Sequence, residues 1–344
     1  MIYSLVKPIL FAFPAEKAHH ITTWLLRIAS KIPLLNSLLK VIFQFSDERL
    51  AVSQWGLNFQ NPVGLAAGFD KDGKYIQAMA MLGFGFIEVG TVTPRPQIGN
   101  PKPRLFRLVK DDAIINRMGF NNEGVDILVS RLKDLDKGSL IIGGNIGKNK
   151  DTPNEDAYKD YLICFQKLYP FVDYFVVNLS SPNTPGLREL QEKEPLKKIL
   201  SALLTYREQQ SISRPILLKI APDLTDDQLS DVVEIVMELS IEGIITTNTT
   251  ISRSDLETGK EVVDNIGAGG LSGRPLHDKA LDILKRTSEI SEGRIPLVGV
   301  GGIDSAQTAR DRINAGASLI QVYTGLVFKG PFLIKKIKKG LISS

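Results

Sequence analysis

Residues 1–45 place large apolar side chains three and four positions apart. One set is Ile2, Leu5 and Ile9, a second Ile21, Trp24, Leu25 and Ile28, and a third Leu34, Leu35, Leu38, Leu39 and Ile42. This spacing predicts short amphipathic helices, punctuated by Pro14 and Pro33. Two uses fit the pattern: packing against a main body, or dipping into the surface of a bilayer.

From Asn61 the pattern changes. Short runs rich in Val, Ile and Gly alternate with segments of helical period. The predicted strands are Val63–Ala67, Phe86–Val89, Leu140–Ile146, Tyr174–Leu179, Ile216–Ile220, Gly243–Thr247, Leu297–Val300 and Leu319–Tyr323. Helices are predicted between them, among them Asp226–Leu239, Asp278–Ile290 and Ser305–Ala315, with Gly316 as a stop. Strand and helix in strict alternation, repeated to a count of eight, predict a (β/α)8 barrel, the TIM-barrel form of the α/β class. An open doubly wound sheet is the competitor, but no GxGxxG follows the first strand. The chain therefore divides into a small N-terminal helical extension, residues 1–45, and a barrel, residues 46–344. The stretch from Thr91 to Lys137 is too long for a simple βα loop and predicts an insertion over the barrel mouth.

Composition narrows the class. The 344 residues are 43% apolar and 23% charged, as expected of a chain with a real core. A net charge of +4 suits an anionic ligand or a membrane surface, and no nucleic-acid-binding signature accompanies it. Cys164 is the single cysteine, which excludes a disulfide framework. His19, His20 and His277 lack zinc-site spacing. No apolar run reaches the ~18 residues of a spanning helix, and the N-terminus reads as retained. The run Lys335-Lys336-Ile-Lys338-Lys339 reads as the solvated face of a last helix, or else as a contact with acidic lipid.

The chemistry lies where the predicted strands end. The fourth runs into Asn178-Leu-Ser-Ser-Pro-Asn-Thr-Pro-Gly-Leu-Arg188, which offers amides and hydroxyls on a backbone restrained by Pro182 and Pro185. The other ends give Lys71, Thr91, Asn145, Lys219 and Thr247-Asn248-Thr249. Amides, hydroxyls and two lysines, with little acid, exclude a glycosidase pair, a Ser-His-Asp triad and a catalytic metal cluster. They suit a heteroaromatic cofactor whose own ring does the chemistry. Glycine turns at Gly301-Gly302 and Thr324-Gly325 follow strands seven and eight, where barrels commonly bind phosphate. Residues 269–275 read as further flexible backbone, or as a surface loop. A colourless barrel isomerase or phosphosugar enzyme would share the phosphate turns. A non-catalytic peripheral membrane protein would leave the ordered polar strand ends unexplained.

The ordered motifs resemble one family, dihydroorotate dehydrogenase. They are Ala66-Ala-Gly-Phe-Asp-Lys-Asp-Gly73, Gly90-Thr-Val-Thr-Pro-Arg-Pro96, Ile115-Asn-Arg-Met-Gly-Phe-Asn-Asn122 and Asn145-Ile-Gly-Lys-Asn149. They continue with the Asn178 loop, Lys219-Ile-Ala-Pro222, Thr246-Thr-Asn-Thr249, Gly270-Leu-Ser-Gly-Arg-Pro275 and Gly299-Val-Gly-Gly302. The family's base position is cysteine in cytosolic members and serine in membrane-associated, quinone-reducing ones. Here it matches Ser181, and the helical extension also resembles the quinone-dependent class. A cytosolic flavin dehydrogenase using fumarate or NAD is the near alternative.

The resemblance implies one FMN per chain, held by Ala67, Gly68, Thr91, Asn145, Asn178, Lys219, Thr247, Gly273, Gly302, Tyr323 and Thr324. It implies dihydroorotate or orotate on Lys71, Asn116, Arg117, Met118, Gly119, Phe120, Asn178, Asn183, Asn248 and Thr249. Ser181 would take a proton from C5 of dihydroorotate while C6 gives hydride to the flavin. The residues show no obvious activator for that serine. A membrane quinone would be the final acceptor, reached through the N-terminal helices, with His19 and Arg107 near the route. A plain helix-surface histidine fits His19 equally well. The expected place is the cytoplasmic face of the cell membrane, peripherally bound, in pyrimidine biosynthesis, with no nucleic acid and no obligate protein partner.

Overall fold

Eight short strands pair in parallel into one closed ring in the computed structural model, which describes residues 2–343. The strands are β1 (Val63–Leu65), β2 (Phe86–Val92), β3 (Ile141–Ile146), β4 (Tyr174–Asn178), β5 (Ile216–Ile220), β6 (Gly243–Thr246), β7 (Leu297–Val300) and β8 (Ala317–Val322). They follow one another around the ring in chain order, and β8 closes on β1 through Ile320↔Val63 and Val322↔Leu65. The predicted strands all form: Ile216–Ile220 and Leu297–Val300 with the expected bounds, the other six with ends shifted by one to three residues. Helices intervene as the alternation requires, and the helix Asp226–Glu238 opens on a Thr225–Gln228 capping box. Ser305 caps Ala306–Asn314 in the same way, and Gly316 follows at φ +103°.

Strand alternation sends side chains to two places. Ile87, Val89, Phe175, Val177, Ile216 and Leu218 face the helices and join the large outer core. Phe86, Tyr174, Val176, Leu217, Ile245, Val298 and Leu319 form a second cluster. The same alternation puts this cluster inside the ring. An antiparallel hairpin, Val52–Gln54 with Leu57–Phe59, adds Phe59 to that cluster, with its ring 5.3 Å from Phe86. The barrel interior is thus apolar toward the hairpin and becomes polar toward the C-terminal strand ends.

The long Thr91–Lys137 stretch does carry an insertion. Leu105–Leu108 and Ala113–Asn116 form a hairpin, and Gly270–Gly273 pairs with its second strand in register Gly270↔Asn116. Residues 270–273 are therefore a strand and not the flexible surface loop the glycines allow. The partner that orders them lies some 150 residues earlier in the chain.

At the N-terminus stand α1 (Ile2–Phe11), α2 (Ala15–Lys31) and α3 (Pro33–Phe43). Their apolar stripe is only partly covered by the body of the chain. Phe11 packs edge-on to Phe328, His19 to Phe69, and Phe43 to Phe332. Yet Leu5, Ile9, Trp24, Leu25, Leu34, Leu38 and Val41 remain exposed. The lysine run of the last helix is not wholly a solvated face: Lys338 is buried and donates to Gly83 O at 2.8 Å. There it meets a carbonyl that follows the helix Ile76–Ala80, a position that favours a cation.

Candidate active site

The polar strand ends converge on one cleft of about 990 Å³, its solvent-open mouth included. Its two lysines are Lys71 and Lys219; its amides include Asn116, Asn178, Asn183 and Asn248. Ser181, Thr247, Thr249, Ser272 and Thr324 add hydroxyls, and no acidic side chain is among the residues that line it.

A hydrogen-bonded ladder fixes these groups. Asn145 donates to Glu88 Oε1 at 2.7 Å and accepts from Thr91. Asn178 Nδ2 donates to Thr91 Oγ1 at 2.8 Å, and Asn248 Nδ2 donates to Asn178 Oδ1 at 3.2 Å. Across the mouth, Asn183 Nδ2 donates to Asn116 Oδ1 at 3.0 Å. This last bond ties the Asn178–Arg188 loop to the insertion hairpin. Asn145 and Asn178 are buried and bonded at both the amide nitrogen and the amide oxygen, so they have fixed orientation and a defined donor and acceptor pattern.

The two cations differ. Lys219 is buried at the end of β5, and no hydrogen-bond acceptor for its ammonium appears among the described residues. Burial lowers its pKa, against the pull of Glu88. Lys71 donates to Asn121 Oδ1 at 2.6 Å, and burial, then the Arg104 charge, pull it down to about 8. Its loop is shaped by Asp70, whose carboxylate accepts from Lys74 N at 2.8 Å and Tyr75 N at 2.7 Å. Burial drives Tyr323 up to about 12, so the cleft wall it forms is a neutral phenol.

Most residues named from sequence meet here: Ala67, Gly68, Lys71, Thr91, Asn116, Met118, Gly119, Phe120, Asn178, Ser181, Asn183, Lys219, Thr247, Asn248, Thr249, Gly273, Gly302, Tyr323 and Thr324 line the cleft. Two do not. Asn145 lies beneath it, as the rung between Glu88 and Thr91. Arg117 turns its guanidinium away, to Pro103 O and Ile266 O. Ser181 Oγ accepts from Asn183 N at 3.3 Å, and no carboxylate or imidazole is bonded to it among the described residues. Cys164 is buried on the helix Ala157–Leu168, where burial raises its thiol pKa.

His19 and Arg107 lie on the side of the helical extension. The His19 ring is 4.8 Å from Phe69, and Phe69 is 5.4 Å from Tyr323, so a file of rings runs from α2 to the cleft wall. Burial, then the charges of His20 and Lys71, hold His19 down to about 4. Arg107 donates to Leu10 O, Phe11 O and Phe13 O and so caps the C-terminal end of α1. Glu88 and Gln321 are site residues that sequence reasoning missed. Their signal is a carboxylate and an amide placed mid-strand in otherwise apolar runs, bonded to each other inside the barrel.

Comparison with known proteins agrees over the whole length. The family described as "Dihydroorotate dehydrogenase" matches residues 49–344. A "Dihydroorotate dehydrogenase (quinone)" of Christiangramia forsetii is 55% identical over 342 residues, covering 99% of both chains. One from Yersinia pseudotuberculosis is 49% identical over 343 residues, covering 98% of this chain and 99% of its own. Among solved structures, ligand-free DHODH from Eimeria tenella superposes with a TM-score of 0.86 at 38% identity, covering 95% of this chain and 94% of that one. The same enzyme in complex with ferulenol gives 0.84, covering 95% and 90%.

Proposed function

The chain belongs to the dihydroorotate dehydrogenase family, and from that premise we propose that it oxidises dihydroorotate to orotate with a quinone as final acceptor, a step of de novo pyrimidine biosynthesis. One observation carries the reading at the site: a single cleft that gathers amides, hydroxyls and two ammonium groups without any carboxylate. Orotate is a carboxylate on a ring with imide-like donors and acceptors. Asparagines satisfy both kinds of group, and Lys71 meets the negative charge.

The flavin is FMN in this reading. The donor set fits it: an ammonium with unspent donors at Lys219, hydroxyls at Thr91 and Thr324, and glycine turns after β7 and β8. When bound, FMN supplies a ring that takes up hydride equivalents and hands electrons on. Lys219 holds positive charge in the buried wall, where it stabilises negative charge developing nearby. Ser181 relays the C5 proton: Oγ accepts it as the hydroxyl's own proton passes to water at the open mouth of the cleft, so the serine ends neutral. Asn116, Asn183, Asn248 and Thr249 would hold the substrate ring in the cleft, which Met118, Gly119 and Phe120 also line.

Residues 1–45 form the quinone-access and membrane-contact segment, and residues 46–344 the catalytic barrel. Exposed Leu5, Ile9, Trp24, Leu25, Leu34, Leu38 and Val41 support contact with a membrane surface. Among the described residues no helix is long and apolar enough to cross a membrane, and attachment in this reading is peripheral, at the cytoplasmic face. The ring file from His19 to Tyr323 supports an electron route between the segments. The test is an absorption spectrum of the purified protein with mass identification of the released cofactor. Dihydroorotate oxidation is then assayed against quinone, fumarate and NAD. Bound FMN with quinone-specific turnover is expected; colourless protein, or turnover with fumarate or NAD alone, sinks the reading.

A further inference from the structure

Arg312 is among the largest fully buried side chains of the described residues, on the helix Ala306–Asn314 behind the β7 end of the cleft. No carboxylate lies within salt-bridge distance of it among the described residues; Asp311 and Asp278 act on it only at longer range. Burial pulls its pKa down to about 10, so the guanidinium stays charged at neutral pH. An uncompensated buried charge of this kind is costly. Its Nη2 donates to Gly301 O at 2.6 Å and to His277 O at 2.7 Å, while Nε and Nη1 have no partner.

The two carbonyls belong to the two backbone segments that meet at the glycine turn. Gly301 and Gly302 follow β7, and both line the cleft. Gly302 sits at φ +67°, and a Cβ there would lie 2.5 Å from His277 Cα, so the turn is pressed against the start of the helix His277–Ile290. The carbonyl of Gly301 and the N–H of Gly302 share one peptide unit. That unit is trans, so its N–H points opposite to its C=O. With the carbonyl held by Arg312 on the helix side, the N–H is aimed toward the cleft. No acceptor for it appears among the described residues. A hydrogen bond to a cation also polarises the peptide and strengthens the donor at its other end.

We infer that Arg312 is a positioning residue for a phosphate monoester in the cleft: it holds and polarises the Gly301–Gly302 peptide so that its N–H binds the phosphate, without itself touching the ligand. The inference rests on the FMN reading above and adds a residue outside the cleft lining to it. The negative ligand offsets a charge that has no carboxylate at salt-bridge distance among the described residues.

The test reads selectivity for phosphate and not activity. Full-length protein is dialysed to equilibrium against an excess of FMN and riboflavin in equal amounts, and the bound flavins are released and quantified. Wild type retains FMN over riboflavin; Arg312→Gln lowers that ratio at least tenfold, and Arg312→Lys, which keeps the charge but loses the fork, lowers it by a smaller factor. Where Arg312→Gln does not fold, Arg312→Lys carries the test alone, with at least a threefold fall expected. An unchanged ratio overturns the inference even if the melting temperature drops, because a purely structural arginine weakens both flavins alike. Wild type that retains neither flavin overturns the cofactor reading itself, and the inference with it.

Discussion

The barrel and the N-terminal helices draw on the same apolar residue types and treat them in opposite ways. Every residue of β1, β2, β4, β5, β6 and β7 is buried. In α1–α3, by contrast, Leu5 is 75% exposed, Leu34 84% and Val41 78%. A parallel strand is covered on both faces, so a continuous apolar run is what it needs. A helix buries one stripe, and α1–α3 spend theirs on a few anchors: Tyr3 to Val327 O, Phe11 on Phe328, Phe43 on Phe332, and Glu16 to Arg104 Nη2 at 2.8 Å. What remains exposed has no partner within the chain's own core. The difference teaches that apolar content alone does not separate a buried element from an exposed one; how much of it the fold can cover does.

Three experiments act on that contrast. The largest effect belongs to the barrel. Ser181→Ala removes the proposed proton acceptor and slows dihydroorotate oxidation by about 10²–10⁴-fold. Flavin absorbance stays, and quinone reduction by pre-reduced enzyme is unchanged. Stopped-flow reduction by dihydroorotate checks it, and near-wild-type reduction at neutral pH rules out the assigned base.

Next comes the helical segment. Removal of residues 1–45 leaves flavin bound but lowers quinone turnover and vesicle association by more than tenfold, the mirror image of the serine variant. Sedimentation with anionic vesicles and steady-state assays with a soluble acceptor read the two parts separately. A folded truncation with unaltered quinone kinetics would falsify the division of labour.

The smallest effect lies where the regions meet, at Lys71, whose charge also acts on His19. Its ammonium is present below about 8 and lost above it. Orotate affinity therefore falls as pH rises through 8, by at most about tenfold per unit. Stability runs the other way. The folded pKa lies under the ordinary lysine value of 10.5, so the fold carries the cost of the buried charge in full below 8 and sheds it between 8 and 10.5. Orotate titration by flavin fluorescence across that window checks the first sign, and denaturant midpoints check the second. A flat affinity profile would remove Lys71 from the substrate contacts.

The eight strands could be read from the chain because each is a local run of Val, Ile and Leu with a polar stop, and ring closure follows from their count and alternation. The strand-end residues were legible for the same reason. In a parallel barrel the residue after each apolar run must face the mouth, which is where Lys219, Asn178 and Thr247 stand. Folding in space decided the rest. Gly270–Gly273 became a strand because a hairpin from the insertion supplied its partner. Arg117 sits inside a matching motif yet turns to Pro103 and Ile266, since side-chain direction depends on neighbours that spacing does not encode. Asn145 became a rung beneath the cleft, and the buried ladder from Glu88 to Asn248 joined residues from four different strand ends. Short-range pattern fixes which residues form an element and which end of it is polar. Which polar groups meet is set by the closure of the ring, because only that brings distant parts of the chain within hydrogen-bonding distance.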